Sequence, residues 1–259
     1  MKRFLLKLLK GLIYLIVVGF FGGLTYMSIL KQADLPSYEE IIADTNVSDQ
    51  SPLKKAAVIS RESAVKIMSL DPETMTISAA SGTYVTIGGR YFILTVAHGI
   101  NPDCDFVRIL LDRGLGYEEH YDCEKMIEVN IFSDYAIVEV EQIGELSPVY
   151  ISTQRPMNSE WLDSLAPLAP LIYTGYPNDL GRVTIEGRVM GYSPENHIYM
   201  HSYGWAGASG SGIFNTDGQL VGHVMAIIVG ESAHGMSVLE DIVVVVPLFK
   251  VDWSVIAYR

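Results

Sequence analysis

Basic residues are scarce in this chain. Of 18 Lys and Arg in 259 residues, four (Lys2, Arg3, Lys7 and Lys10) lie within residues 1–10. The rest of the chain sets 14 basic against 30 acidic residues, a balance of −16 inside a total charge of −12. A domain this acidic repels phosphate backbones and gains nothing from anionic lipid, so no nucleic acid is expected as a partner. Cysteine is scarcer still, with only Cys104 and Cys123 and 18 residues between them. No Cys-x-x-Cys pair or Cys/His cluster lies near them, so a zinc site is not expected. His197 and His201 are spaced by four in a strand-like run without a third ligand, and no metal or cofactor is expected there either. In an exported domain Cys104 and Cys123 are expected to close a disulfide, with two free thiols as the alternative. Beyond residue 30 there is no long helix-period segment and no internal repeat, which argues against a helical bundle or solenoid.

One long apolar run is present. Residues 11–30 are 20 uncharged, mostly apolar positions. At helical rise they span about 30 Å, the hydrocarbon thickness of a bilayer. A cleaved signal peptide would have a shorter apolar region and an A-x-A-like site, and no such site occurs between Gly22 and Ala33. The basic residues 1–10 precede the run, and Asp34, Glu39, Glu40 and Asp44 follow it. The expectation is an uncleaved transmembrane signal anchor, single-pass, with a cytoplasmic tail over 1–10 and the remainder periplasmic or extracellular. Residues 31–58 read as a linker, with Pro36, Pro52 and the polar run Asp44 to Ser51.

From about residue 59 short β-type runs alternate with turns. Candidates are Ala64 to Met68, Gly82 to Ile87, Arg90 to Thr95, Phe106 to Leu110, Tyr135 to Val140, Leu171 to Tyr173, Arg182 to Met190, His197 to Tyr203, Gln219 to Val229 and Ile242 to Val246. Gly88-Gly89 reads as a hairpin turn between two of them. Leu248, Val251, Trp253 and Val255 offer the apolar positions of a short C-terminal helix. About a dozen short strands in 200 residues point to β-barrels rather than a parallel sheet.

Three local patterns follow one another. Leu94-Thr95-Val96-Ala97-His98-Gly99 ends an apolar strand in a histidine. Ser133-Asp134-Tyr135-Ala136-Ile137-Val138 opens a strand with an aspartate. Gly207-Ala208-Ser209-Gly210-Ser211-Gly212 sets a serine among glycines. A serine hydroxyl needs a base to attack at neutral pH. Histidine can take that proton and return it to the leaving amine. A carboxylate in turn fixes the histidine tautomer and stabilises the imidazolium. Taken singly, the hexapeptide is also compatible with a plain β-turn, and His98 with a structural histidine at a strand end.

In this order the segments resemble the trypsin-like (chymotrypsin-fold) serine proteases. Their texture, with Gly82-Thr83-Tyr84-Val85, Tyr173-Thr174-Gly175-Tyr176-Pro177, Gly187-Arg188-Val189 and Phe214 to Gly222, is nearest the bacterial Deg-type and glutamyl endopeptidase branches. The resemblance covers about Glu62 to Val246. It implies an all-β protease domain over 59–259: two six-stranded antiparallel β-barrels, one over about 59–150 and one over about 165–247, then a short helix. It also implies nucleophile Ser209, general base His98 and orienting acid Asp134, with the N–H groups of Gly207 and Ser209 forming the oxyanion hole. Asp105, Asp112 and Asp122 sit in polar, loop-like surroundings and compete less well than Asp134; Ser211 is the rival nucleophile, outside the Gly-x-Ser-Gly frame. The activity implied is hydrolysis of peptide bonds in extracytoplasmic proteins through an acyl-enzyme. The alternative is a silent or self- or partner-restricted module that binds extended peptides.

Two departures matter. Digestive members pair an aspartate before the serine with a new N-terminus after zymogen cleavage, and Ala208 cannot do so. The chain is therefore expected to fold directly competent without that cleavage, or to be ordered by substrate or an assembly partner. By the same resemblance Tyr203 borders the primary pocket, and Val224, Met225 and Ala226 pair with substrate backbone. None is a carboxylate, so an apolar or small side chain is expected there rather than Lys or Arg. His223 is one residue out of register with the histidine that glutamyl endopeptidases use, and a one-residue slip reverses the face of a strand.

Overall fold

The computed structural model describes residues 51–112, 118–151, 163–232 and 235–257. The expected tail 1–10, the anchor 11–30 and most of the linker 31–58 lie outside the described residues. Among the described residues no helix is long and apolar enough to cross a membrane.

The domain begins earlier than the sequence suggested. Helix α1, Pro52–Ser63, is capped by Ser51, whose Oγ accepts from Lys54 N–H, and Pro52 occupies its first turn. A proline there loses nothing, because that N–H has no helical acceptor. Ala56 and Ala57 are buried against Val85, Phe92, Ile172 and Phe214. Residues 52–58, expected as tether, are therefore part of the packed domain.

Eight strands form the N-terminal half: β1 (Ala64–Asp71), β2 (Thr76–Ile87), β3 (Arg90–Thr95), β4 (Val107–Asp112), β5 (Glu118–Asp122), β6 (Lys125–Asn130), β7 (Tyr135–Val140) and β8 (Val149–Tyr150). Their order is β5-β4-β1-β2-β3-β7-β6, with β8 parallel to β2. Gly88-Gly89 forms the expected two-residue turn between β2 and β3. The expected six-stranded first barrel does not close among the described residues. β4 has β1 on one edge and β5 on the other, so no edge of β4 remains for β6. The half is an open, half-barrel sheet. Cys104 and Cys123 are bonded to each other, tying the approach to β4 to the turn between β5 and β6.

The C-terminal half closes as expected. β9 (Pro170–Gly175), β10 (Val183–Tyr192), β11 (Ile198–His201), β12 (Gly212–Phe214), β13 (Leu220–Ser232) and β14 (Gly235–Pro247) form a barrel ordered β10-β11-β14-β13-β12-β9. Alternate residues such as Leu171 and Tyr173, or Val243 and Val245, fill its interior, as the two-residue period of a strand requires. A short C-terminal helix is present as α2, Ser254–Ala257. Val251, Trp253 and Ile256 pack with Phe92, Leu94 and Ile137 of the first sheet and Ile172, Phe214 and Leu220 of the barrel. This apolar seam joins the halves. Full burial of Phe92 or Phe214 contributes about 2–3 kcal/mol each.

Candidate active site

The histidine and aspartate motifs converge through strand register. β3 pairs with β7 so that Thr95 faces Ala136. Continuing that antiparallel register by two residues sets Ala97 beside Asp134. The Asp134 carboxylate closes the gap: Oδ1 accepts from Ala97 N–H (3.1 Å) and His98 N–H (3.0 Å), and Oδ2 lies 2.8 Å from His98 Nδ1. Since the carboxylate only accepts, His98 carries its proton on Nδ1 and presents Nε2 as a base. The hydrogen bond to Asp134 holds the His98 pKa above its usual value, against partial desolvation. Burial alone would raise the Asp134 pKa, but the hydrogen bonds from the His98 ring and backbone outweigh it and hold the carboxyl below its usual range. Asp134 itself sits at φ +48°, in the turn between β6 and β7. Asn130 Oδ1 supports that turn by accepting from Phe132 and Ser133 N–H.

The serine motif lies between β11 and β12 and is half-buried at Ser209. Its backbone is fixed by both halves of the domain. Ser81, a buried residue of β2, donates its N–H to Ser209 O (2.7 Å) and its Oγ–H to Gly207 O (2.7 Å), and its Oγ accepts from Tyr176 N–H. Thr95 Oγ1 in turn donates to Ser81 O. From the barrel, Gly210 N–H donates to Val224 O and Val224 N–H to Ser211 O. Gly207 has φ +91°, and a Cβ there would lie 2.6 Å from Tyr176 O, so the turn requires glycine. Ala206 O accepts from Asn178 N–H (2.7 Å), while no backbone partner takes the N–H of Gly207 or Ser209 among the described residues. Two unpaired donors on one turn are what an oxyanion site needs.

The structure brings His98 and Asp134 into direct contact, but no hydrogen bond joins Ser209 Oγ to His98. Such contacts are commonly long without substrate and shorten in the complex. Ser211, the rival, is fully buried with its Oγ unpaired, beneath the loop rather than on it. Of the competing carboxylates, Asp122 has Arg108 as its partner, and Asp105 has no bond to a histidine among the described residues.

Around the expected pocket the picture changes in one respect. Val224 cannot pair with substrate, because both its backbone groups are engaged by Gly210 and Ser211 and its side chain is in the barrel core. Beyond His223 no β12 residue pairs with β13 among the described residues; Met225 and Ala226, both half-buried, follow there, with Ala226 facing Val244 of β14 on the other edge. Tyr203 is 61% exposed and stacked on Trp205, and its carbonyl accepts from the Tyr173 hydroxyl. Ala208 is buried within the barrel core, an apolar setting in which a carboxylate would have no partner.

Sequence reasoning missed Ser81, Thr95 and Asn178 as supports, since short polar residues in strands and turns carry no distinct pattern. It noticed His223 only as a displaced specificity residue. That side chain is fully buried and lies 3.0 Å from Asp134 O. Among the described residues no group of three or more His, Cys, Asp or Glu could hold a metal ion. His197 Nε2 instead accepts from Lys250 Nζ (3.1 Å).

Comparison with known proteins identifies the family. Residues 80–222 match the trypsin-like peptidase domain, more than half of the chain. No curated protein matches in sequence. Among solved structures, the serine endoprotease from Yersinia pestis superposes with a TM-score of 0.59 at 18% identity, covering 80% of this chain and 67% of that one. The active form of the Rv3671c protease from M. tuberculosis superposes with a TM-score of 0.53 at 18% identity, covering 75% and 79%. At such identities the likeness is one of fold. The family match carries the assignment: the chain belongs to the trypsin-like peptidases and is a serine endopeptidase.

Proposed function

We propose that Ser209, His98 and Asp134 form the catalytic triad of a membrane-anchored endopeptidase acting on proteins outside the cytosol. The observation that carries the reading is the His98–Asp134 pair: the carboxylate accepts from the imidazole Nδ1–H at 2.8 Å and leaves Nε2 as the basic nitrogen, while the backbone N–H groups of Ala97 and His98 hold the carboxylate in place. In this mechanism His98 Nε2 takes the Ser209 proton as Oγ attacks the scissile carbonyl. The tetrahedral oxyanion forms against the N–H groups of Gly207 and Ser209. His98 then gives the proton to the leaving amine, and water hydrolyses the acyl-enzyme by the same steps in reverse order. Asp134 stays ionised and stabilises the imidazolium.

Residues 11–30 are the anchor in this reading, and the charge asymmetry around them sets the domain on the far side of the membrane. Met225 and Ala226 would pair with the substrate backbone, with an apolar or small side chain in the primary pocket. The buried Ala208 supports competence without zymogen cleavage. Labelling with a serine-directed fluorophosphonate tests the core of the proposal. Wild type should label on Ser209 and Ser209→Ala should not; a folded wild type that takes no label would leave a peptide-binding module instead. Intact mass of the membrane-extracted protein, retaining Met1 through Leu30, would support the anchor, and loss of that segment would refute it.

A further inference from the structure

We propose that His223 is a positioning residue: its Nε2–H, reaching from β13 of the barrel, holds the Asp134 carbonyl so that the carboxylate stays on Ala97, His98 and the imidazole. The inference rests on the triad reading above.

Three observations carry it. First, the acceptor is a carbonyl, which only accepts, so His223 must donate from Nε2 and is the Nε2–H tautomer. Its Nδ1 is buried without a partner, so a second proton there would be a stranded donor; burial likewise pushes the His223 pKa down to about 4. The ring is a neutral, fixed donor and not a second base. Second, the residue it holds is one whose backbone needs holding. Asp134 occupies the left-handed region at φ +48°, at the end of a turn whose tip is open to solvent, with Phe132 94% exposed. Asn130 supports the two residues before Asp134, and His223 supports Asp134 itself. Third, the donor comes from the other half of the domain. His223 faces Gly212 in the β12–β13 pairing, and the next residue, Val224, clamps Gly210 and Ser211. One strand thus grips the serine loop by its backbone and the aspartate turn by a side chain. The charged and titratable groups bearing on this contact are Asp134, His98 and His197.

His223→Leu keeps the apolar volume and removes the donor, whereas His223→Gln keeps an N–H that can reach the carbonyl. Two readings are taken: the second-order rate of fluorophosphonate labelling at Ser209, and the low-field proton resonance of His98 Nδ1–H. The leucine variant should unfold cooperatively yet label about ten- to hundredfold more slowly, as expected for a misplaced catalytic group. Its low-field resonance should shift upfield or broaden, and the acid limb of its labelling rate should move to lower pH. Glutamine should restore most of the rate. A folded His223→Leu with unchanged rate and resonance would overturn the proposal. If wild type does not label but the His98 resonance still responds to His223→Leu, the nucleophile assignment fails while the positioning role stands. Should the leucine variant not fold, nitrogen chemical shifts of wild-type His223 decide: an Nε2–H tautomer supports the contact, and an Nδ1–H tautomer overturns it.

Discussion

The two halves of the domain hold their share of the site by different means. The open N-terminal sheet assembles an acid–base pair from side chains: Asp134 on one turn reaches His98 on another, and the register of β3 against β7 brings the two turns together. The closed barrel contributes a loop shaped by main chain, in which glycine geometry and backbone hydrogen bonds set Gly207 to Ser211. The difference teaches where each is vulnerable. A side-chain pair can be altered chemically with little harm to the fold. A main-chain loop cannot, because the bonds that shape it also join the halves through Ser81.

That contrast can be broken or sharpened by substitution. The largest effect is expected from Ser209→Ala, which should lower peptide hydrolysis by about 10⁶-fold in steady-state assays while leaving the urea unfolding curve in place. Asp134→Asn follows, with about 10⁴-fold lost from kcat as the His98 tautomer is no longer enforced. On the barrel side, Gly210→Ala should act on stability. Its φ is +89°, and a Cβ would collide with Ser81 O and Thr95 Oγ1. Left-handed strain and overpacking together should cost about 3 kcal/mol or more in urea unfolding. If it folded as well as wild type, the account of the loop as a main-chain junction would be wrong.

Removing the disulfide tests the open sheet. Cys104 and Cys123 are 19 residues apart, and a loop of that size contributes about 3 kcal/mol by restricting the unfolded chain. The double alanine variant should lose about that much or less in chemical unfolding, with kcat unchanged. The pH profile should then report the side-chain pair. In the proposed mechanism His98 acts as a base only when neutral, and its raised pKa puts the acid limb of kcat/KM above the ordinary 6.5. The linked stability has the opposite sense: the raised His98 pKa stabilises the fold at low pH, and that contribution is lost as pH rises through the folded value. For Asp134, whose pKa is lowered, the contribution is present above 3.8 and lost as pH falls through the folded value. The smallest effect is expected at Arg90, whose guanidinium forks onto Glu139 at 2.8 and 2.7 Å but is partly exposed. Arg90→Ala should cost under about 1 kcal/mol in thermal unfolding.

Much of this was legible in the sequence, and for identifiable reasons. His98 ends an apolar strand and Asp134 opens one, so each motif announces both a side chain and its place in the fold. The closed barrel was readable because its strands, such as Ile242 to Val246, are continuous apolar runs. The strands β5 and β6 were not, because Glu118 to Asp122 lacks any apolar alternation and the Lys125–Asn130 pattern is broken by a bulge against β7. Pairing partners, and hence the open first sheet, are decided by tertiary edges that local sequence does not encode. Helix α1 was hidden by Pro52, which reads as a breaker unless Ser51 before it is recognised as a cap. Val224 was assigned to substrate because resemblance supplies a strand but not the hydrogen bonds already made within it.

The central claim is that the side-chain pair of one half serves the main-chain loop of the other. The most direct test is the rate of fluorophosphonate labelling at Ser209, followed by mass spectrometry across pH in wild type and His98→Ala. The account predicts a rate that rises through one ionisation above pH 6.5 in wild type and is lost in His98→Ala. Labelling of Ser209 at an undiminished rate in a folded His98→Ala variant would contradict it.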